Sequence, residues 1–154
     1  MREILFRGKR IDTGEWIVGQ LIRYEDGRAR IVEAGENIFC YEMDISIIQT
    51  VARHVAPETI GQYTGLTDKN GKKIFEGDIL PIEDEIIAVV IFKDGCFRLE
   101  EYGLCGTWTE SGYDECGGGW GIIECEPIDW YHTRDMEIVG NIHDNPKFLE
   151  VGYV

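Results

Sequence analysis

The stretch Ile86–Phe92, with the sequence IIAVVIF, decides the fold class of this chain. It is apolar throughout, rich in Val and Ile, and closely followed by Asp94-Gly95. An apolar run this short, with β-branched side chains and a turn signal at its end, is typical of a buried strand. We therefore predict a central strand that is covered on both faces. A tight turn at Asp94-Gly95 would then lead into a hairpin partner in which Phe97 and Leu99 point inward.

Further turn signals lie on both sides of this strand, at Asp12-Thr13-Gly14, Glu25-Asp26-Gly27 and Asn70-Gly71. Gly, Asn and Asp tolerate the positive φ angles of tight hairpins, so these peptides mark strand reversals. Trp16–Ile22 has the β-branched and aromatic composition of a strand. A two-residue period predicts another strand, with one apolar face formed by Phe39, Tyr41, Met43, Ile45 and Ile47. The fold class predicted is mainly β, with antiparallel strands and little helix.

The composition limits the partners and the compartment. The 154 residues suit one domain, and 29 acidic against 15 basic residues give a formal charge of −14. Such a surface repels phosphate backbones and anionic headgroups, so we expect neither direct nucleic-acid binding nor membrane binding. No stretch approaches the roughly 20 apolar residues of a membrane span, and the start lacks the apolar core of a signal peptide. We expect a cytoplasmic protein whose five cysteines are reduced thiols.

The segment from about residue 100 to 137 differs from the rest of the chain. It contains ten acidic residues and one basic residue, Arg134, together with several Trp and Tyr residues. This pattern indicates an elaborated loop or an inserted hairpin on a more regular scaffold. Because aromatic side chains are enriched in the cores of protein interfaces, its candidate binding residues are Trp108, Tyr113, Trp120 and Tyr131, with packing in an ordinary subdomain core as the alternative.

Three stretches carry a family resemblance: Phe6–Trp16 (FRGKRIDTGEW), Pro57–Leu80 (PETIGQYTGLTDKNGKKIFEGDIL) and Glu137–Glu150 (EIVGNIHDNPKFLE). In this order, and over almost the full length, they resemble the YopX-like family of bacteriophage and prophage proteins. The resemblance implies a phage or prophage origin and a bacterial host cell. It also implies a β fold whose C-terminal part is similar to a small SH3-type barrel. It implies no activity that can be carried over to particular residues.

The chain is therefore predicted to be a single YopX-like domain over residues 1–154. An N-terminal β subdomain would span about 1–58, and a barrel-like subdomain about 59–154, with the acidic aromatic insertion at about 100–137. The polar and glycine residues of the family motifs are interpreted mainly as structural, with binding as the alternative. They are Gln62, Tyr63, Gly65, Asn70, Gly71, Glu76, Gly77, Asp78, Gly140, Asn141, Asn145 and Pro146.

These motifs also predict local structure. Asn70-Gly71 predicts a two-residue hairpin turn, and Gly77-Asp78 a sharp bend that begins a strand. Core positions are predicted at Ile74, Phe75 and Ile79. In the last motif, Asn145-Pro146 should end a strand that contains Ile138, Val139 and Ile142.

No catalytic motif is found. The serines, Ser46 and Ser111, do not lie in a Gly-x-Ser-x-Gly elbow. Two cysteine pairs of equal spacing, Cys96/Cys105 and Cys116/Cys125, precede His132 and leave open a metal site across two strands. Structural zinc usually takes much closer cysteine pairs, because one tight turn then presents both sulfurs to the ion. We therefore predict no metal, no cofactor and no catalytic residue.

Three functions follow as hypotheses. The first is a non-enzymatic phage or prophage accessory protein that binds an unknown host or phage protein. The second is an acidic decoy that mimics DNA, and the third is a small metal-dependent enzyme that uses the Cys, His and carboxylate segment. Homo-oligomerisation is left open, because an exposed edge strand can pair across a two-fold axis.

Overall fold

The computed structural model describes residues 3–33, 35, 51–83, 86–104, 107–109, 112–114 and 120–151, with backbone alone at 107–109, 112–114 and 151. Its strands form a six-stranded, a five-stranded and a two-stranded sheet, with only short helices in the described segments. The mainly β, antiparallel prediction is confirmed. The strand predicted from Phe39 to Ile47 lies outside the described residues. The chain divides into two compact units, Met1–Gly65 and Leu66–Val154. The subdomain boundary predicted near residues 58 and 59 stays a prediction.

The first unit is built from consecutive antiparallel strands. They are β1 (Phe6–Lys9), β2 (Trp16–Arg23), β3 (Ala29–Glu33), β4 (Ala52–Val55) and β5 (Gly61–Thr67), with a 3-10 helix at Pro57–Thr59 before β5. The order is β4-β3-β2-β1-β5, so the N-terminal strand β1 lies between its neighbour β2 and the later β5. Alternate residues of these strands form a buried core of Ile17, Ala29, Ile31 and Val55. The predicted strand Trp16–Ile22 is thereby confirmed as β2.

The second unit contains the remaining strands and two one-turn helices. They are β6 (Lys73–Phe75), β7 (Asp78–Glu83), β8 (Ile86–Lys93), β9 (Cys96–Leu104), β10 (Thr107–Thr109), β11 (Gly112–Asp114), β12 (Trp120–Pro127), α1 (Trp130–Thr133), β13 (Gly140–Asn141) and α2 (Phe148–Val151). The five-stranded sheet has the order β12-β9-β8-β7-β13. In the described residues this sheet is open, with β12 and β13 at its edges. The SH3-type barrel implied by the resemblance is therefore not confirmed.

Strand β8 is covered on both faces, as its sequence predicts. Ala88 and Val90 pack on one face in a cluster with Leu80 and Leu99, while Ile87 and Val89 pack on the other with Ile79. Burial of one large aliphatic side chain contributes about 1.5–3 kcal/mol. We call the two faces of this sheet the Val90 face and the Val89 face. Ile74, Phe75 and Ile79 are also buried, as predicted.

The two hairpin predictions for the second unit have different outcomes. At Asp94-Gly95 both φ angles are positive, 53° and 82°, which confirms a two-residue turn between β8 and β9. At Asn70-Gly71 the two-residue turn is wrong. The Asp68 amide donates to the Lys72 carbonyl at 2.9 Å, and only Gly71 of the predicted pair has a positive φ, 78°. The loop is thus three residues long, because the Asp68 carboxylate accepts the amides of Asn70 and Lys72, each at 2.9 Å.

The strand predicted from Ile138 to Ile142 is also shorter than expected. Only Gly140 and Asn141 pair with β7 as strand residues, although the Val139 amide donates to the Ile79 carbonyl at 3.0 Å. The cause is the side chain of Asn141, whose Oδ1 accepts the amides of His143 and Asp144 at 3.0 Å each. Such a local side-chain bond competes with the sheet ladder and turns the chain.

The glycine at position 19 lies where the backbone of β3 comes close to β2. A Cβ atom at this position would overlap the carbonyl oxygen of Val32, which is backbone and cannot rotate away. We expect Gly19→Ala to lower the free energy of unfolding by about 3 kcal/mol, because overpacking against backbone forces the strands apart. Urea denaturation of both proteins measures the difference.

Gly27→Ala is the control for this variant. Gly27 has a φ of +87° but open space around its Cα, so alanine there should cost only about 1 kcal/mol of backbone strain. If both variants lose the same free energy of unfolding, the close approach of the Val32 backbone at Gly19 is not the cause of the destabilisation.

Candidate functional site

The acidic segment of the second unit forms a long hairpin. Strand β12 returns antiparallel to β9, with Trp120 opposite Leu104 and Pro127 opposite Arg98, and between them β10 pairs with β11. The register shifts between Ile122 and Glu124, so Ile123 is an extra residue in β12. This β-bulge sets which residues of β12 share a face with those of β9.

The bulge places several carboxylates on the Val90 face. Glu124 lies opposite Glu101, and Glu126 lies opposite Leu99. The Glu101 residue is only 8% exposed. Burial raises the pKa of Glu101, and the nearby charges of Glu124 and Glu126 raise it further, while His132 acts in the opposite direction. Loss of the Glu101 proton therefore weakens this part of the fold.

Helix α1 is held next to these carboxylates by its first turn. Asp129 caps the helix, because its Oδ1 accepts the amides of Tyr131 at 2.7 Å and His132 at 3.1 Å. These amide bonds, that of His132 first, hold the pKa of Asp129 below its usual value. The His132 ring lies between two carboxylates, with Nε2 2.9 Å from Glu126 Oε1 and Nδ1 2.8 Å from Asp129 Oδ1. Glu126 thus connects β12 to the helix.

The same helix exposes two large aromatic side chains. Trp130 is 61% exposed and Tyr131 is 69% exposed, and their rings meet edge to face at 6.4 Å. The Arg134 guanidinium lies 4.3 Å from the Tyr131 ring centroid and 5.2 Å from that of Trp130. Its Nε is 3.0 Å from Asp135 Oδ2. We call Trp130, Tyr131 and Arg134 the aromatic ridge.

An open groove of about 490 Å³ lies beside the ridge. Its apolar lining comes from Pro81, Ile82, Met136 and Val139. Tyr131 and His132 line it as well, and charged groups are supplied by Lys69, Asp135 and Glu137. Lys69 Nζ is 2.8 Å from Glu137 Oε2, so this cation is already paired. The groove therefore combines an apolar surface, one aromatic ring and carboxylates.

Asp68 fixes the part of the groove that contains Lys69. Its Oδ2 accepts the amide of Ile138 at 3.3 Å, while the neighbouring Lys69 amide donates to the Met136 carbonyl at 2.9 Å. Burial would raise the pKa of Asp68, but the amides of Lys72, Ile138 and Asn70 outweigh it and the pKa lies below its usual value. Sequence reasoning missed Asp68. Its signal is an Asp two residues before Asn-Gly, where a carboxylate can cap the turn.

The structure separates the aromatic residues that the sequence grouped together. Tyr131 lies on the ridge, whereas Trp120 is partly buried on the Val89 face. Trp108 and Tyr113 are opposite one another in β10 and β11, and their side chains are outside the described part of the chain. Trp130 and Arg134 were missed as ridge residues. The signal for them is Asp129, whose capping type indicates the start of a helix.

The cysteines do not assemble around His132 in the described segments. Arg98 donates through Nε to Cys125 Sγ at 3.4 Å and through Nη1 to Cys96 Sγ at 3.9 Å. Cys125 lies opposite Glu100, one residue out of phase with Glu126 and therefore on the other face of the sheet from His132. Cys105 and Cys116 lie outside the described residues. Within the segments that the structure describes, no three His, Cys, Asp or Glu residues could hold a metal ion.

The family-motif residues mostly lie in turns and strands. Asp78 is 1% exposed, and its Oδ2 accepts the Phe75 amide at 2.8 Å, which fixes the bend at Gly77. Any Cβ at Gly140 would overlap the Asn145 side chain. Gln62 and Tyr63 belong to β5, as does Gly65 with a φ of 93°.

Comparison with known proteins gives the family. The sequence matches the YopX protein family over residues 5–150. The chain belongs to the YopX family. A search of curated proteins gave no match. Among solved structures, this YopX family member is similar to protein EF1440 from Enterococcus faecalis, with 21% identity, coverage of 97% of this chain and 100% of that chain, and a TM-score of 0.37. No helix in the described segments is long and apolar enough to cross a membrane.

The Glu101 carboxyl gives the first test of the site. The pKa of Glu101 is higher in the folded than in the unfolded protein. The stability linked to this carboxyl is therefore fully present below the unfolded pKa and is lost as pH rises through the folded pKa. We expect Glu101→Gln to raise the free energy of unfolding by about 1 kcal/mol at neutral pH, since the amide carries no charge. The gain should vanish below about pH 4. Urea denaturation across this pH range measures it.

Glu58→Gln is the matched control, because Glu58 is exposed. Its effect should stay within about 0.5 kcal/mol at every pH. A Glu101→Gln protein that is less stable than wild type at neutral pH would refute the charge repulsion described for β9 and β12.

Asp68 gives a second test. We expect Asp68→Ala to lower the free energy of unfolding by about 2 kcal/mol, because three amides lose a charged acceptor. The pKa of Asp68 is lowered, so its contribution is present above the unfolded pKa and is lost as pH falls through the folded pKa. The difference in the free energy of unfolding between Asp68→Ala and wild type should become smaller at acidic pH. Asp68→Asn, which keeps one acceptor oxygen, should lose less than alanine does. Thermal melts of the three proteins make the comparison.

Proposed function

We propose that this YopX family member is a non-enzymatic accessory protein of a phage or prophage, and that it binds a host or phage protein through the aromatic ridge. The observation that carries the proposal is the exposure of Trp130 and Tyr131, at 61% and 69%, side by side on one turn of helix. Aromatic rings are the side chains most enriched in the cores of protein interfaces.

The way the ridge is built supports a binding surface. Asp129 and His132 hold the helix through its cap and through the contact with Glu126, while the two exposed rings belong to neither described cluster of the sheet. Rings held in place before contact lose little conformational entropy when a partner binds. An exposed pair next to an open groove can therefore bury a large apolar area on association.

The chemistry of the groove favours binding over catalysis. Both ring nitrogens of His132 lie within 3 Å of a carboxylate oxygen, at 2.9 Å and 2.8 Å, so the ring already has two acidic neighbours. No serine or cysteine contributes to its described lining. A serine or cysteine nucleophile would need its hydroxyl or thiol beside a base that can accept the proton.

The test is co-purification of a partner from bacterial lysate with tagged protein. Trp130→Ala/Tyr131→Ala should abolish capture and leave the melting temperature within about 2 °C of wild type, because exposed rings contribute little to folding. Phe92→Ala is the matched control, since Phe92 is 53% exposed on the β8 side of another hairpin. It should capture the partner normally. Capture that survives the loss of both ridge rings would refute the proposal.

Trp120→Ala distinguishes binding from folding. Trp120 packs against the cluster of Ile79, Ile87 and Val89, so its loss should lower the free energy of unfolding by about 3 kcal/mol. If the Trp120→Ala protein is stable but no longer captures the partner, the contact surface lies on the Val89 face instead of the ridge.

A further inference from the structure

We propose that the partner contributes a basic segment, and that one of its arginine side chains enters the groove, with its alkyl chain on the apolar surface and its guanidinium between Tyr131 and Asp135. This inference rests on the proposed function and adds the chemistry of the partner. It follows from three features of the groove and the ridge, namely their apolar lining, their charge and their own arginine.

The apolar lining suits the stem of a long cationic side chain. Ile82 and Met136 lie partly buried against the cluster of the Val90 face, so the groove surface they form is backed by a packed core. Arginine and lysine place their methylene groups along such surfaces while the charged end stays near polar groups. A rigid apolar surface beside carboxylates is therefore complementary to an amphipathic cation.

The charges around the groove are mainly negative. Four carboxylates lie in or next to the groove, against the permanent cations Arg134 and Lys69. Asp135 and Glu137 line it, and Glu126 and Asp129 contact His132, which also lines it. Both cations are already paired, Arg134 with Asp135 and Lys69 with Glu137. The remaining negative charge favours a basic partner, because complementary charge speeds association and discriminates against acidic partners.

Arg134 shows that the ridge accommodates a guanidinium. The group lies over the Tyr131 ring at 4.3 Å and beside a carboxylate oxygen of Asp135 at 3.0 Å. This combination of ring and carboxylate suits arginine better than lysine, because the planar guanidinium both stacks and donates. Removing Arg134 should therefore strengthen the binding of a basic segment, since a competing cation is lost.

The probe is a short, fluorescently labelled peptide of alternating glycine and arginine, with a glycine and glutamate peptide of the same length for comparison. Anisotropy at physiological ionic strength should show binding of the arginine peptide alone. Asp135→Asn/Glu137→Gln should weaken it about fivefold, as two exposed charge contacts of ordinary strength would. Arg134→Ala should strengthen it, and amide NMR shifts should be largest at Tyr131, Asp135 and Val139.

Glu25→Gln/Glu58→Gln is the matched control, because it removes the same total charge from exposed positions in the first unit. This double variant should weaken binding of the arginine peptide less than twofold. Equal weakening by both double variants would show that only net charge attracts the peptide and would overturn the inference. Binding of the glutamate peptide, or weaker arginine-peptide binding in Arg134→Ala, would overturn it as well.

Failure of this inference can be distinguished from failure of the proposed function. If a lysate partner requires Trp130 and Tyr131 but an excess of the arginine peptide does not compete with it, the partner is not basic and only this inference fails. If the arginine peptide binds in the groove and no captured protein depends on the ridge, the proposed function fails, and the inference about its partner is overturned with it.

Discussion

The requirement to cover β8 on both faces determines the arrangement of the second unit. Ala88 and Val90 need one apolar layer, and Ile87 and Val89 need another. Neighbouring strands supply only part of each layer. The chain after β12 supplies a further part of both layers, one on each side of the sheet. Ile138 packs against the Val90 face while Val139, the next residue, packs against the Val89 face.

This alternation explains why the short segment that leads into β13 matters. An extended chain sends successive side chains to opposite faces, so a few residues at the sheet edge reach both layers. Hydrogen bonds from the Asp68 loop hold this segment, through Met136 and Ile138. The groove is therefore positioned by the same contacts that complete the core, while the ridge is held by the Asp129 cap and by the contact of His132 with Glu126.

The sequence predicted those parts of the structure that depend on local rules. The apolar run of β8 and the turn at Asp94-Gly95 follow from periodicity and from the φ angles that Gly and Asp tolerate. The prediction of a two-residue turn at Asn70-Gly71 was wrong, because the Asp68 carboxylate accepts the amides of Asn70 and Lys72. Side-chain hydrogen bonds of this kind also shortened β13.

The candidate site was predictable only in part. Composition identified the acidic, aromatic segment and Tyr131 within it. Composition does not reveal how the strands are paired, however. The bulge at Ile123 is what places Glu124 and Glu126 on the same face as Glu101. Trp120 and Tyr131 look equivalent in sequence, yet Trp120 packs against the cluster on the Val89 face whereas Tyr131 lines the groove. Their separation follows from strand pairing, which no local pattern encodes.

The bulge at Ile123 also bears on self-association. Among the described strands, β12 lies at an edge of its sheet, and a long regular edge is a template on which further chains can add. The extra residue breaks this template into Trp120–Ile122 and Glu124–Pro127, neither of which offers a ladder longer than four residues. Proline ends the second piece, and Glu124 places a charge in it. The same irregularity that gathers the carboxylates thereby disfavours the addition of further strands at this edge.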